Sequence, residues 1–149
     1  MKTTDPPIII EQTFNTSIDH LWNVITEVDQ MTQWFFENIP AFEPVVGFKT
    51  QFVVENQGRT FTHLWEITGV AEEQKIVYRW SYVEYPGIGR VTFAISGSAG
   101  EAHLTLTNEI LEDFAQDIPE FTRESCIGGW RYFINARLKN YLSQKSAER

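Results

Sequence analysis

The sequence has very little of the chemistry that binds metals or forms disulfide bonds. Its single cysteine, Cys126, cannot form an internal disulfide, and its three histidines, His20, His63 and His103, lie far apart along the chain. No C-x-x-C or H-E-x-x-H spacing occurs, although zinc sites are built from such clustered ligands. We therefore expect no metal site and no cofactor, and a reduced, cytoplasmic setting.

Basic residues are also scarce. The chain has 12 Lys and Arg against 20 Asp and Glu, which gives a formal net charge of −8 at pH 7. Proteins that bind a phosphate backbone present a basic face, whereas the basic residues here are scattered. The charge therefore argues against nucleic acid as a partner.

Long apolar runs are missing as well. No stretch approaches the about 18 apolar residues that a membrane span needs. Residues 1–7 are polar and are not followed by the apolar run of a secretory signal. Because 149 residues is the usual size of one domain, the sequence predicts a single domain over 1–149 without a membrane span.

Aromatic residues, by contrast, are abundant, with five Trp, five Tyr and eleven Phe. Aromatic side chains bury large areas in protein cores, and they also line pockets for small molecules. Composition alone does not divide them between these two roles.

The N-terminal part of the chain predicts one strand followed by two short helices. A β-rich run at 8–14 follows two prolines, which cannot continue a ladder. Ser17 and Asp19 are typical of a helix start, and apolar residues then follow at helical spacing. A second helical piece covers 28–34, and 35–44 is expected to be a loop.

From Gly47 the apolar pattern changes to a period of two. Phe61, His63, Trp65 and Ile67 share one face of a strand, and several similar runs follow, separated by turn residues. This pattern predicts a meander of antiparallel strands with one buried face.

The last predicted element is a long helix over about 118–142, followed by a polar tail, 143–149, that we expect to be frayed. A sheet with one apolar face must be covered, and this helix is the only predicted element that is long enough. The sequence thus predicts an α+β fold in which a curved antiparallel sheet wraps around the C-terminal helix, leaving a cavity between them.

Several short segments carry a family resemblance over about residues 8–142. They are SIDHLW at 17–22, QWF at 33–35, WEI at 65–67 and GW at 129–130. With these segments the chain resembles the helix-grip superfamily, also called START-like, SRPBCC or birch-pollen-allergen-like. Within it the chain is similar to the group named for homology to the activator of the heat-shock-protein-ninety ATPase.

The resemblance implies the helix-grip fold but little about activity, because this fold serves lipid carriers, cyclases, hydrolases and co-chaperone domains. Most members of the group look like binding modules without a recognised catalytic signature. The chaperone activator itself carries a further N-terminal domain that is missing from this sequence.

His63 is the most informative polar residue, because alternation points it into the expected cavity. It could anchor a ligand by a hydrogen bond or act as a general base, or it could be a buried histidine satisfied by a protein group. Gly128-Gly129, inside the last helix, indicates close packing, room for a ligand, or a kink. The cluster at 34–36 could gate the cavity, form a partner surface, or pack the short helices onto the sheet.

Our main hypothesis is that the protein binds a small hydrophobic molecule, such as a lipid, without catalysis. The expected ligand-binding residues lie on the sheet and on the long helix: His63, Trp65, Tyr78, Trp80, Phe93, Trp130, Phe133 and Arg137. A chaperone-associated interaction protein is the alternative, and a hydrolase or cyclase that uses His63 is a third. A homodimer stays open because Trp34 and Phe36 are candidates for exposed aromatics.

Overall fold

The protein is described by a computed structural model that covers residues 1–147. Its elements, in chain order, are β1 (Ile8–Phe14), α1 (Ile18–Thr26), α2 (Val28–Trp34), β2 (Lys49–Asn56), β3 (Arg59–Ala71), β4 (Lys75–Tyr82), β5 (Ile88–Ser98), β6 (Glu101–Glu112), a 3₁₀ turn (Pro119–Phe121), α3 (Arg123–Trp130), a π-helical segment (Arg131–Leu138) and α4 (Lys139–Ala147).

The six strands form one antiparallel sheet in the order β1-β6-β5-β4-β3-β2. Strands β2 to β6 are a meander, and β1 pairs with β6 at one edge. The turn between β2 and β3 has two residues, Gln57 and Gly58, both with positive φ, which is the geometry of a tight hairpin. Register shifts at Ile67/Gly69 and Ile88/Gly89 are bulges of the kind that increase local twist and bend a sheet.

Helices α1 and α2 cover one part of the inner face of the sheet. The Ser17 hydroxyl accepts a hydrogen bond from the His20 amide and caps α1, as expected from the sequence. Leu21 and Ile25 of α1 are fully buried, and α1 packs against β5 and β6. The chain after α2 stays in the core, since Ile39 and Phe42 are also buried.

The C-terminal helical region differs from the sequence prediction in two ways. It begins at Arg123, because Pro119–Phe121 forms a separate 3₁₀ turn and the Thr122 hydroxyl caps α3 by accepting from the Ser125 amide. Its middle, Arg131–Leu138, is π-helical rather than α-helical. The predicted tail falls partly outside the described residues, 148–149, while α4 extends to Ala147.

Two apolar clusters fill the interior. The larger one joins the sheet, α1, α2 and the C-terminal helical region. The smaller one, centred on Phe61, Phe114 and Phe121, lies at the end of the sheet near the β2–β3 hairpin. The predicted fold class, an α+β helix-grip fold with two short helices after the first strand, is confirmed.

Candidate functional site

A cavity of about 450 Å³ lies between the inner face of the sheet and the C-terminal helical region. It borders both apolar clusters, since members of both contribute to its wall. The wall is mainly apolar and aromatic, and its residues are Met1, Phe36, Val54, Asn56, Phe61, His63, Trp80, Tyr82, Gly89, Val91, Asn108, Phe114, Glu120, Phe121, Cys126, Gly129, Trp130 and Phe133.

Four of the eight residues expected at the site line this cavity. His63 and Trp80 reach it from neighbouring strands, while Trp130 and Phe133 reach it from the helical side. The edge of the Trp80 ring meets the Trp130 ring at 5.7 Å between centroids, so sheet and helix touch beside the cavity.

Three other predicted residues, Trp65, Tyr78 and Phe93, lie in the core and not in the cavity wall. Each is at most 2% exposed. Phe35 covers Trp65 at 5.4 Å between ring centroids, and Phe42 covers Tyr78 at 5.5 Å. Alternation correctly predicted that these three residues lie on the inner face of the sheet. The segment after α2 covers this half of the inner face, so the three side chains are buried under it.

Arg137 is also outside the cavity. Its guanidinium donates to the backbone carbonyl of Gln33 at 2.7 Å and lies 5.9 Å from the ring centroid of Tyr132. This residue therefore joins the helical region to α2.

The environment of His63 defines its chemistry. The Trp80 indole Nε1–H donates to His63 Nδ1 at 3.1 Å, and the Phe52 ring stacks on the imidazole at 4.9 Å between centroids. Burial lowers the pKa of His63 to about 3, although the nearby Glu84 carboxylate opposes this shift. The ring is therefore neutral at pH 7, and because Nδ1 accepts a hydrogen bond, its proton is on Nε2.

Apart from the groups at one end of the cavity, the other polar groups in the wall are also uncharged at neutral pH. Asn108 Nδ2 donates to Cys126 Sγ at 3.2 Å, and burial raises the pKa of the Cys126 thiol to about 11. Burial likewise raises the pKa of the Tyr82 hydroxyl. A protonated thiol is a poor nucleophile, so Cys126 acts as a small apolar wall group.

The charged end of the cavity is formed by the Met1 ammonium, which donates to the Phe121 carbonyl at 3.0 Å, and by Glu120. Its carboxylate accepts two hydrogen bonds from Arg59, each 2.8 Å long, and one from Asn56 Nδ2 at 2.6 Å. The Arg59 hydrogen bonds hold the pKa of Glu120 below its usual value. This cluster joins the β2–β3 hairpin to the 3₁₀ turn where the cavity meets solvent.

Sequence reasoning missed this cluster and the aromatic wall contributed by Phe114 and Phe121, whereas Phe36 belongs to the cluster at 34–36 for which a role at the cavity was one of the alternatives. Asn56 and Glu120 are 64 residues apart, and no local pattern links them. A signal did exist for Gly129, whose position in a helix suggested room for a ligand; an added Cβ there would meet no heavy atom within 4 Å.

Within residues 1–147 no group of three or more His, Cys, Asp or Glu side chains is arranged to hold a metal ion. No helix in the same range has the length and apolar character needed to cross a membrane.

Solved structures show the same fold. DynU16, a protein of the dynemicin biosynthetic locus, is 21% identical to this chain, with a TM-score of 0.73. The match covers 93% of this chain and 48% of DynU16, so this chain spans about half the length of DynU16. A protein from Arthrobacter aurescens is 13% identical with a TM-score of 0.77, over 97% of this chain and 90% of its own. The Aha1 dimer from Colwellia psychrerythraea is 14% identical with a TM-score of 0.67, over 93% and 96%.

A comparison with curated proteins found no match. The family model described as Activator of Hsp90 ATPase homolog 1-like protein matches residues 15–143, which is most of the chain. This match and the shared fold confirm the resemblance inferred from the sequence, and the chain belongs to the Activator of Hsp90 ATPase homolog 1-like family.

Proposed function

We propose that the protein binds a small, mostly apolar molecule in the cavity between the sheet and the C-terminal helical region. The observation that carries the proposal is the cavity itself, whose volume of about 450 Å³ falls within the range of small-molecule sites. Its aromatic walls offer apolar burial, which contributes about 25 cal/mol for each Å² removed from water. The few polar groups in the wall supply orientation.

The chemistry of His63 favours binding over acid–base catalysis. A general base works best when its pKa lies near the working pH. Burial lowers the pKa of His63 to about 3, so its imidazole is a weak base at pH 7. The ring is better suited to hold a ligand by a hydrogen bond.

Adjacent glycines in α3 provide a matched pair of variants to test the proposal. Gly129 lines the cavity, whereas Gly128 is exposed, and an added Cβ meets no heavy atom within 4 Å at either position. Gly129→Leu should fill part of the cavity, while Gly128→Leu makes the same change in helix propensity and leaves the cavity intact.

The measurement is the fluorescence of N-phenyl-1-naphthylamine, a neutral apolar dye that brightens when it leaves water. We expect saturable binding to the wild type and to Gly128→Leu, and binding at least tenfold weaker to Gly129→Leu. Equal dye affinity in the two variants, with both folded by circular dichroism, would place the dye elsewhere and contradict the proposal.

A second candidate function, contact with a chaperone ATPase, follows from family membership. It predicts a change in the ATPase rate of Hsp90 when the protein is added, and no change at saturating protein would remove it. The Aha1 neighbour is a dimer, so light scattering after size exclusion should also establish whether this chain dimerises.

A further inference from the structure

The hydrogen bond between Trp80 and His63 assigns different roles to the two imidazole nitrogens. An indole N–H can only donate, so Nδ1 of His63 is the acceptor and Nε2 carries the proton. Within residues 1–147 the structure gives Nε2 no hydrogen-bond partner. His63 is only 6% exposed and lines the cavity. Nε2 is not among the fully buried unpaired atoms, so its N–H is an unpaired donor that is open to the cavity.

An unpaired donor in the cavity wall affects which ligands bind well. A ligand that places an acceptor at Nε2–H satisfies this group, whereas an apolar ligand of the same shape leaves it desolvated and unpaired, which is unfavourable. The Phe52 ring stacked on the imidazole and the Trp80 hydrogen bond hold the His63 ring in one orientation. The donor is thus positioned before the ligand arrives.

The charges around the cavity narrow the ligand class further. Among the described residues no Lys or Arg side chain lines the cavity, and its one carboxylate, Glu120, is held by Arg59 and Asn56. The cation in the wall is the Met1 ammonium, which donates to the Phe121 carbonyl at 3.0 Å. Burial keeps both the His63 ring and the Cys126 thiol uncharged at pH 7. The charge that acts on His63 is the Glu84 carboxylate, so a carboxylate or phosphate that accepts from Nε2–H would be desolvated near a like charge, which is unfavourable.

We infer that the cavity selects a neutral apolar molecule that carries a carbonyl-type acceptor, which accepts a hydrogen bond from His63 Nε2–H. This inference rests on the proposed function and names the ligand class of the same site. It makes His63 a specificity-determining residue and not a catalytic one.

Three naphthalenes of similar size test this inference: 2-acetylnaphthalene, 2-ethylnaphthalene and 2-naphthoate. Their affinities at pH 7 are measured by displacement of N-phenyl-1-naphthylamine. The ethyl compound is the more apolar, so a purely apolar cavity would prefer it. We expect the wild type to bind the ketone at least as tightly as the ethyl compound, and to bind the carboxylate at least tenfold more weakly.

Two variants assign the preference to His63. His63→Phe keeps an aromatic ring but removes the donor, so the ratio of ketone to ethyl affinity should fall about fivefold, the equivalent of one net hydrogen bond. His63→Gln can accept from Trp80 and still donate to the ligand, so it should restore most of that ratio. Circular dichroism and dye binding establish that each variant is folded.

The outcomes separate the two proposals. An unchanged ketone-to-ethyl ratio in His63→Phe would overturn the role of His63 while leaving the binding function intact. Naphthoate binding as tight as that of the ketone would overturn the requirement for a neutral ligand. Failure of the dye and of all three naphthalenes to bind the wild type would remove the proposed function and this inference with it.

Discussion

Phe35, the residue directly after α2, is central to the packing of this protein, and its replacement makes a strong test. Its ring is 1% exposed and stacks in parallel on Trp34 at 4.7 Å between centroids. It also contacts Trp65 at 5.4 Å and Trp130 at 5.9 Å, so it joins α2, the sheet and α3. Phe35→Ala removes this ring from a rigid aromatic surround, and we expect it to lower the free energy of unfolding by about 3–5 kcal/mol.

The neighbouring Phe36→Ala is the matched comparison. Phe36 is half-buried and already faces the cavity, so its truncation mainly enlarges an existing space. Its removal should cost about 1–2 kcal/mol, since it creates less new void than a fully enclosed site. Urea unfolding followed by circular dichroism gives both values, with the slope m as a check that the variants unfold in the same way. Costs that differ by less than about 1 kcal/mol would refute this account of how the segment after α2 is anchored.

Two further predictions concern buried polar groups. The Tyr78 hydroxyl is fully buried and has no hydrogen-bond partner among residues 1–147. Tyr78→Phe should therefore leave the free energy of unfolding unchanged or raise it by about 1 kcal/mol in urea unfolding, and a loss of similar size would mean that the hydroxyl is paired. The pKa of His63 is about 3 in the folded protein against 6.5 for a free histidine, so the unfolded chain binds a proton first as the pH falls. This group therefore lowers the free energy of unfolding as the pH falls from about 6.5 to 3. His63→Gln should therefore lose less stability than the wild type between pH 6 and 4, by up to about 1.4 kcal/mol per pH unit, and parallel stability curves would contradict the low pKa.

The strands and their buried faces could be predicted because period-two alternation is a local property. In β3 the inward set Phe61, His63, Trp65 and Ile67 is buried as predicted. Alternation fixes the face of a strand, but it carries no information on what covers each position along it. Residues 35–42 have no periodicity, so their insertion over half of the sheet could not be foreseen. The cavity lies over the other half.

The π-helical segment was not predicted, yet the sequence contains a sign of it. The buried residues of the C-terminal helical region are Trp130, Ile134, Leu138 and Leu142, each four residues after the last. In an α-helix of about 3.6 residues per turn, each four-residue step turns about 40° beyond one full turn. Over three such steps Leu142 would lie about 120° around the helix axis from Trp130. One turn of a π-helix takes more than four residues, so a four-residue step in the π-helical segment turns slightly less than one full turn. This offsets the excess rotation of the α-helical steps and keeps the buried side chains on one face.

This explanation predicts that one residue can be deleted from the helix without loss of the fold. Removing the exposed Ala136 places Ile134, Leu138 and Leu142 four, seven and eleven residues after Trp130, which is the usual apolar stripe of an α-helix. The segment should then become α-helical, and the free energy of unfolding should change by less than about 2 kcal/mol, because all four buried side chains keep their face. Deletion of the exposed Asn23 in α1 is the control: it turns the buried residues after it by about 100° and should prevent stable folding. If both deletions were equally destructive, the four-residue spacing would not be the reason for the π segment.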